Sequence, residues 1–167
     1  MIRKIALLVS VVTMFSSTLN FKLEQPFEAT TLEECAAMCE LSVEEFTLFS
    51  GIVEAESNRS TDGDLSGRIM IALTIWNRLH DCRFPSDSVT SVIAQRGQFS
   101  TYRNGRSVTN GTVYSDQAII EAYEWIESGE EYPEVLFFNC RGYNMGEAYD
   151  RVGGNYFMTY GGIQTDD

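Results

Sequence analysis

Phe46, Phe49, Ile52 and Val53 recur at intervals of three and four along a stretch otherwise rich in polar residues. That interval is the helical repeat, and it predicts an amphipathic helix from residue 42 to about 58. Ser42-Val43-Glu44-Glu45 supplies its start, because a serine can cap the amide three residues on while a glutamate reaches back. Thr31-Leu32-Glu33-Glu34 repeats the device and opens a short helix through residue 40. Residues 66–79 are apolar nearly all round, as a helix buried in a core would be. Residues 86–95, after Pro85, read as a short helix, and 115–127 as an amphipathic one with Gly129 as its C-cap. A polar loop, 59–64, separates the first two long helices. Beyond residue 130 the pattern changes. Val135-Leu136-Phe137-Phe138 and Gly153-Gly154-Asn155-Tyr156-Phe157-Met158 suggest short strands or irregular packing. The expected fold class is mostly α (α+β), with a small C-terminal β element.

The same periodicity separates two glutamates. At about 100° per residue Glu56 falls in the middle of the apolar stripe, while Glu54 points nearly the opposite way, toward solvent. An apolar setting favours the neutral form of a carboxyl. A neutral carboxylic acid is the group a glycosidase uses to protonate a leaving oxygen. The plain alternative is that the helix end frays and Glu56 turns into water or pairs with Arg59 or Arg68.

The chain of 167 residues is long enough for one domain with a real core, and its formal charge is −12 with a pI near 4.4. Such a surface repels phosphate backbones and anionic lipid, which argues against nucleic acid as a partner. It would equally repel any other polyanion. Arg3 and Lys4 followed by an apolar stretch at 5–15 read as an export signal, too short to span a bilayer comfortably. An uncleaved anchor is the alternative, and either way the remainder works outside the cytoplasm. Domain limits are expected at 1–20 (signal), 21–40 (extension with a short helix), 41–160 (catalytic domain) and 161–167 (tail). Cys35, Cys39, Cys82 and Cys140 are an even set in an exported chain, so Cys82 and Cys140 could pair. A four-thiolate zinc site has poor spacing here, and structural or free thiols are the preferred reading.

Ile52-Val53-Glu54-Ala55-Glu56, then Gly67-Arg68-Ile69-Met70-Ile71-Ala72-Leu73-Thr74-Ile75-Trp76-Asn77-Arg78-Leu79, resembles the core motif of the SleB-type cell wall hydrolases, the catalytic domains of spore cortex-lytic enzymes and their vegetative relatives. The likeness continues through Arg83-Phe84-Pro85, Gln95-Arg96-Gly97-Gln98-Phe99-Ser100, Leu136-Phe137-Phe138-Asn139 and Gly153-Gly154-Asn155-Tyr156-Phe157, in order, over residues 41–158. The resemblance implies a lysozyme-like, mostly helical domain, and makes Glu56, preceded by alanine, the catalytic acid. Two departures stand out. The 59–64 loop is longer and carries Asp62 and Asp64, and Asn155 stands where the family pattern commonly has histidine.

Gln98, Phe99 and Ser100 offer an amide, an aromatic face and a hydroxyl suited to sugar recognition, with an ordinary loop and one core phenylalanine as the alternative. Asn139 could turn its amide to the cleft or simply form a turn. Asn77 and Arg78 read as structural, Trp76 as core and His80 as a surface residue. The tyrosines at 143, 149, 156 and 160 could line a glycan groove or merely pack. No nucleophile elbow, phosphate loop or zinc-binding motif appears.

The resemblance therefore implies a secreted or envelope-located enzyme acting on the bond between N-acetylmuramic acid and N-acetylglucosamine in peptidoglycan glycan strands. No metal or cofactor, no membrane insertion after signal removal, and a monomer are expected. One strong carboxylate favours a lytic transglycosylase over two-carboxylate hydrolysis. A muramidase using an acid of the 59–64 loop, an inactive glycan-binding or envelope-associated protein on the same scaffold, and a disulfide-stabilised interaction protein are the rival readings.

Overall fold

The computed structural model describes residues 31–57 and 65–161. The export signal and the 59–64 loop with its two aspartates lie outside these residues. Five helices carry the domain: α1 (Leu32–Met38), α2 (Val43–Ser57), α3 (Ser66–His80), α4 (Val89–Ala94) and α5 (Val113–Glu127). Between α4 and α5 lies a hairpin of β1 (Tyr102–Arg103) and β2 (Arg106–Ser107). The chain ends in an antiparallel sheet of β3 (Phe137–Asn139), β4 (Glu147–Val152) and β5 (Asn155–Thr159), in the order β3-β5-β4. About 47% of the described residues are helical, which is the expected α+β class with its small C-terminal sheet.

The capping chemistry is visible. Thr31 accepts from the Glu34 amide while Glu34 reaches back to the Thr31 amide, closing the box that starts α1. Ser42 accepts from the Glu45 amide at 3.2 Å and donates to its carboxylate. Helix α4 starts later than the sequence suggests, at Val89, because Ser88 and Ser91 form its box. Helix α5 starts earlier, at Val113, because Thr112 caps it. Gly129 has a φ of 70° and donates to the Ile126 carbonyl, ending α5 where expected.

Helix α3 runs through the middle. Every residue from Gly67 to Arg78 is buried, and Ile71, Leu73 and Ile75 are completely enclosed. Side chains of that size each contribute about 1.5–3 kcal/mol when taken fully out of water. Phe49 on α2 meets the Trp76 ring edge-on at 5.4 Å, and Tyr123 on α5 lies 5.3 Å from the same ring.

Asn77 and Arg78 tie the helical part to the sheet. The Asn77 amide donates to the Pro133 and Val135 carbonyls at 3.0 and 2.9 Å. Arg78 Nε donates to the Leu136 carbonyl at 2.6 Å. Its guanidinium lies 5.1–5.8 Å from the Phe84, Phe99 and Phe137 rings, close enough for cation–π attraction. Burial pulls the Arg78 pKa down to about 10, so it remains charged at neutral pH. These contacts fix where β3 begins, and β3 in turn positions β5.

Strand β4 was not legible in the sequence. Five of its six residues are exposed, so it carries no apolar alternation. Its partner β5 holds it, joined through Gly153 and Gly154, both at positive φ. Asn104 and Gly105, at φ 53° and 81°, make the same kind of two-residue turn between β1 and β2. Asn-Gly is the strongest short-range hairpin signal, and it was there to be read.

All four cysteines are free thiols, Cys35 and Cys39 buried, Cys82 and Cys140 exposed. Among the described residues no cluster of three or more His, Cys, Asp or Glu could hold a metal ion, and no helix is long and apolar enough to cross a membrane.

Candidate active site

Glu56 sits in the last turn of α2, half-buried. The Thr101 hydroxyl donates to its Oε1 at 2.6 Å, and the Thr101 amide makes a longer approach of 3.4 Å to the same oxygen. From the other side, Asn155 at the start of β5 donates its amide to the Glu56 main-chain carbonyl at 3.2 Å. That carbonyl belongs to the end of a helix, where the last C=O groups have no partner within the helix. Three elements thus converge on one residue: α2 carries it, the entry to β1 orients its carboxyl, and β5 holds its backbone. Among the described residues no group bonds to Oε2.

Glu54 is not the solvent-facing residue that the helical wheel suggests. Its carboxylate takes Arg68 Nε and Nη2, both at 3.0 Å, and the Thr112 hydroxyl at 2.8 Å. Arg68 is 2% exposed, deep in α3. A buried guanidinium needs a carboxylate, and at Glu54 the side of α2 opposite the apolar stripe meets Arg68 of α3 and Thr112 before α5. Burial pushes the Glu54 carboxyl up, but the Arg68 and Thr112 hydrogen bonds outweigh it and leave it below the ordinary carboxylate range.

One turn earlier on α2, Ser50 bonds both Ser115 and Asp116 at the start of α5. Ser115 Oγ lies 2.8 Å from the Thr112 carbonyl, a pure acceptor, so Ser115 donates there. Ser50 has one proton for its two remaining contacts, to Ser115 Oγ at 2.9 Å and to Asp116 Oδ1. Ser50 donates it to Asp116 Oδ1. Burial raises the Asp116 pKa, and the nearby Glu54 charge adds to it. Neither carboxyl is available as a free partner to Glu56.

The residues proposed for sugar contact are spread unevenly. Gln98 and Ser100 lie on the segment leading to Thr101, Gln98 half-buried and Ser100 exposed. Phe99 is 5% exposed and packs 6.1 Å from Phe138, whose ring lies 5.7 Å from Phe157, so its face belongs to the core. Asn139 turns into its own loop: Nδ2 donates to the Gly142 carbonyl and to Asn144, and Oδ1 accepts from the Arg141 and Gly142 amides. Tyr143 and Tyr156 meet edge-on at 5.0 Å, Tyr160 lies under Arg83, and Tyr149 is exposed. Thr101 was missed in the sequence, although it directly follows Ser100. Its only signal was that adjacency, since a threonine in a loop carries no periodicity.

A family model described as cell wall hydrolase matches residues 63–157, more than half of the chain. The matched stretch contains Thr101 and Asn155 and begins after Glu56. Comparison with curated proteins and with solved structures finds no significant match.

Proposed function

Because the chain belongs to the cell wall hydrolase family, we propose that it cleaves peptidoglycan glycan strands with Glu56 as general acid and base. The observation that carries this reading is the convergence of Thr101 and Asn155, both within the matched stretch, on a glutamate singled out independently by helical periodicity. The site is read as SleB-type, and the protein as secreted or envelope-located, on the sequence resemblance.

Thr101 donates to Oε1, so the transferable proton belongs on Oε2. Glu56 gives that proton to the glycosidic oxygen between N-acetylmuramic acid and N-acetylglucosamine. As the C1–O4 bond breaks, the C6 hydroxyl of the muramic sugar attacks C1. Its proton passes to Glu56, which restores the acid, and the product carries a 1,6-anhydro end. No water is consumed. Glu54 is committed to Arg68, and Asp116 to Ser50, which favours a route needing one carboxyl over the two-carboxylate hydrolysis that places a second acid across the bond. Gln98 and Ser100, beside Thr101, are the proposed sugar contacts.

The test is digestion of purified peptidoglycan by the mature chain and by Glu56→Gln, with mass spectrometry of the soluble fragments. Anhydro-ended muropeptides from the parent alone are expected. Reducing ends would replace the transglycosylase by a hydrolase. No fragments from any wall type would leave a glycan-binding protein on a hydrolase scaffold.

A further inference from the structure

The charge of −12 is unevenly distributed. Residues 88–115 contain Arg96, Arg103 and Arg106 and no aspartate or glutamate. Arg103 and Arg106 face each other across the β1–β2 turn, both exposed. Like charges set directly opposite each other on a hairpin repel. Nothing in the described residues relieves them, for the ion pairs there are Arg68–Glu54 and Arg83–Asp81. Arg103 makes only a long Nε contact, 3.4 Å, to the Ser100 carbonyl.

This cation pair opens on a groove of about 600 Å³ whose other walls include Asn104, Ser107, Thr109 and Asn110. Among the described residues no carboxylate lines it. Guanidinium, amide and hydroxyl groups are the donors that an ionised carboxylate accepts from, and arginine can offer it two parallel bonds. A neighbouring concavity of about 700 Å³ shares Arg106, Ser107, Thr109 and Asn110 and reaches Ser50 and Asp116.

The groove is also fixed relative to Glu56. The Val108 amide donates to the Thr101 carbonyl at 2.9 Å, and the Thr101 hydroxyl is bonded to Glu56. Arg103 follows Thr101 by two residues, about 7 Å at the rise of an extended strand. The base of the hairpin rests directly on α2: a Cβ on Gly51 would lie 2.7 Å from the Thr109 carbonyl oxygen, and one on Gly111 would lie 1.8 Å from Ser50 Oγ. Only glycine permits that approach.

We infer that the Arg103–Arg106 groove is an anion subsite, which takes a free carboxylate of a peptidoglycan peptide stem while the glycan strand lies at Glu56. The inference rests on the proposed substrate and adds how it is held. Sugars of the strand are neutral, whereas the stems carry free carboxylates at intervals along it. An acidic protein binding such a polymer needs a local region of opposite charge, and long-range repulsion from the rest of its surface is screened within about 10 Å at 0.1 M salt.

Binding, not turnover, is the measurement. The Glu56→Gln protein is sedimented with sacculi stripped of covalently attached anionic polymers, alone and with Arg103→Gln plus Arg106→Gln or Arg103→Lys plus Arg106→Lys. The glutamine pair is expected to lower affinity about tenfold at low ionic strength and to remove most of the salt dependence. The lysine pair should retain most of that dependence. Amidating the stem carboxylates with carbodiimide should weaken the arginine protein as much as the glutamine pair does, a comparison that needs no altered hairpin to fold. Unchanged affinity of the glutamine pair, or no loss on amidated sacculi, overturns the subsite. So does a loss seen only on unstripped walls, which would assign the groove to a wall phosphodiester, or no binding by the Glu56→Gln background at all. Muropeptide release by the unaltered chain is scored separately: normal binding without release removes the catalytic reading and upholds the subsite.

Discussion

Asn155 at the start of the last strand donates its side-chain amide to the main-chain carbonyl of Glu56, ninety-nine residues earlier in the chain, at 3.2 Å. The contact joins the C-terminal sheet to the end of α2, and Asn155 is 7% exposed there. The departure from the histidine of the family pattern therefore places an amide donor against the end of α2. An amide serves that purpose at every pH at which the domain folds.

Replacing Asn155 by alanine takes the side-chain donor away from a part-buried helix carbonyl. The expected loss is about 1–3 kcal/mol, a fall of several degrees in melting temperature. Asn155→Asp should cost more, because it sets an acceptor against an acceptor. Thermal melts of the three proteins by circular dichroism decide it. Equal melting temperatures would mean that the contact contributes nothing.

On the proposed mechanism Thr101 positions the Glu56 carboxyl, and its effect should fall on turnover. Thr101→Val removes the 2.6 Å hydroxyl bond to Glu56 with little change in volume. A ten- to hundredfold drop in kcat is expected at nearly unchanged KM, since the bond strengthens to about 1.5–3 kcal/mol as proton transfer turns the Glu56 carboxyl into a charged carboxylate. Thr101→Ser keeps the hydroxyl and should recover most of the rate. A loss confined to KM would instead make Thr101 a substrate contact.

The two other carboxyls give opposite pH signatures. Glu54 lies below its ordinary pKa when folded, so its contribution is present above the unfolded value, near pH 4.3, and is lost as pH falls through the folded one. Asp116 lies above its ordinary value, so its contribution is present below about pH 3.9 and is lost as pH rises through the folded pKa. Asp116→Asn should therefore stabilise the domain near neutral pH and lose that advantage in acid. Glu54→Gln should destabilise it at pH 7 by about 2–4 kcal/mol, because it removes a charged, bidentate partner from the buried Arg68 guanidinium. Urea midpoints of both variants from pH 4 to 8 test the two signs, and parallel curves would contradict them.

Thiol labelling offers a check on packing. Burial raises the Cys35 pKa and lifts Cys39 to about 12, so both stay protonated inside the α1–α2 interface. The thiolate is the reactive form. A soluble disulfide reagent should label Cys82 and Cys140 quickly in the native protein and reach Cys35 and Cys39 only after denaturation. Fast labelling of all four would mean that α1 is not docked as described.

What the sequence alone determined is what local physics controls. Threonine and serine caps, the 3.6-residue repeat of α2 and the all-apolar composition of α3 act within a few residues, and the helices appear where these place them. The stripe of Phe46, Phe49, Ile52 and Val53 also puts Glu56 on the packed side of α2. The tertiary structure decided everything that depends on partners far along the chain. Glu54 reads as solvated because a helical wheel shows direction but not what lies in that direction; Arg68, a buried residue of α3, lies there. Strand β4 exists because β5 pairs with it, not because its own residues ask for a sheet. Asn139 is occupied by its own turn, and Phe99 by the aromatic core. Thr101 and Asn155 became part of the site only when folding brought the two loops to one helix end, since a short polar side chain acquires its role from its neighbours in space.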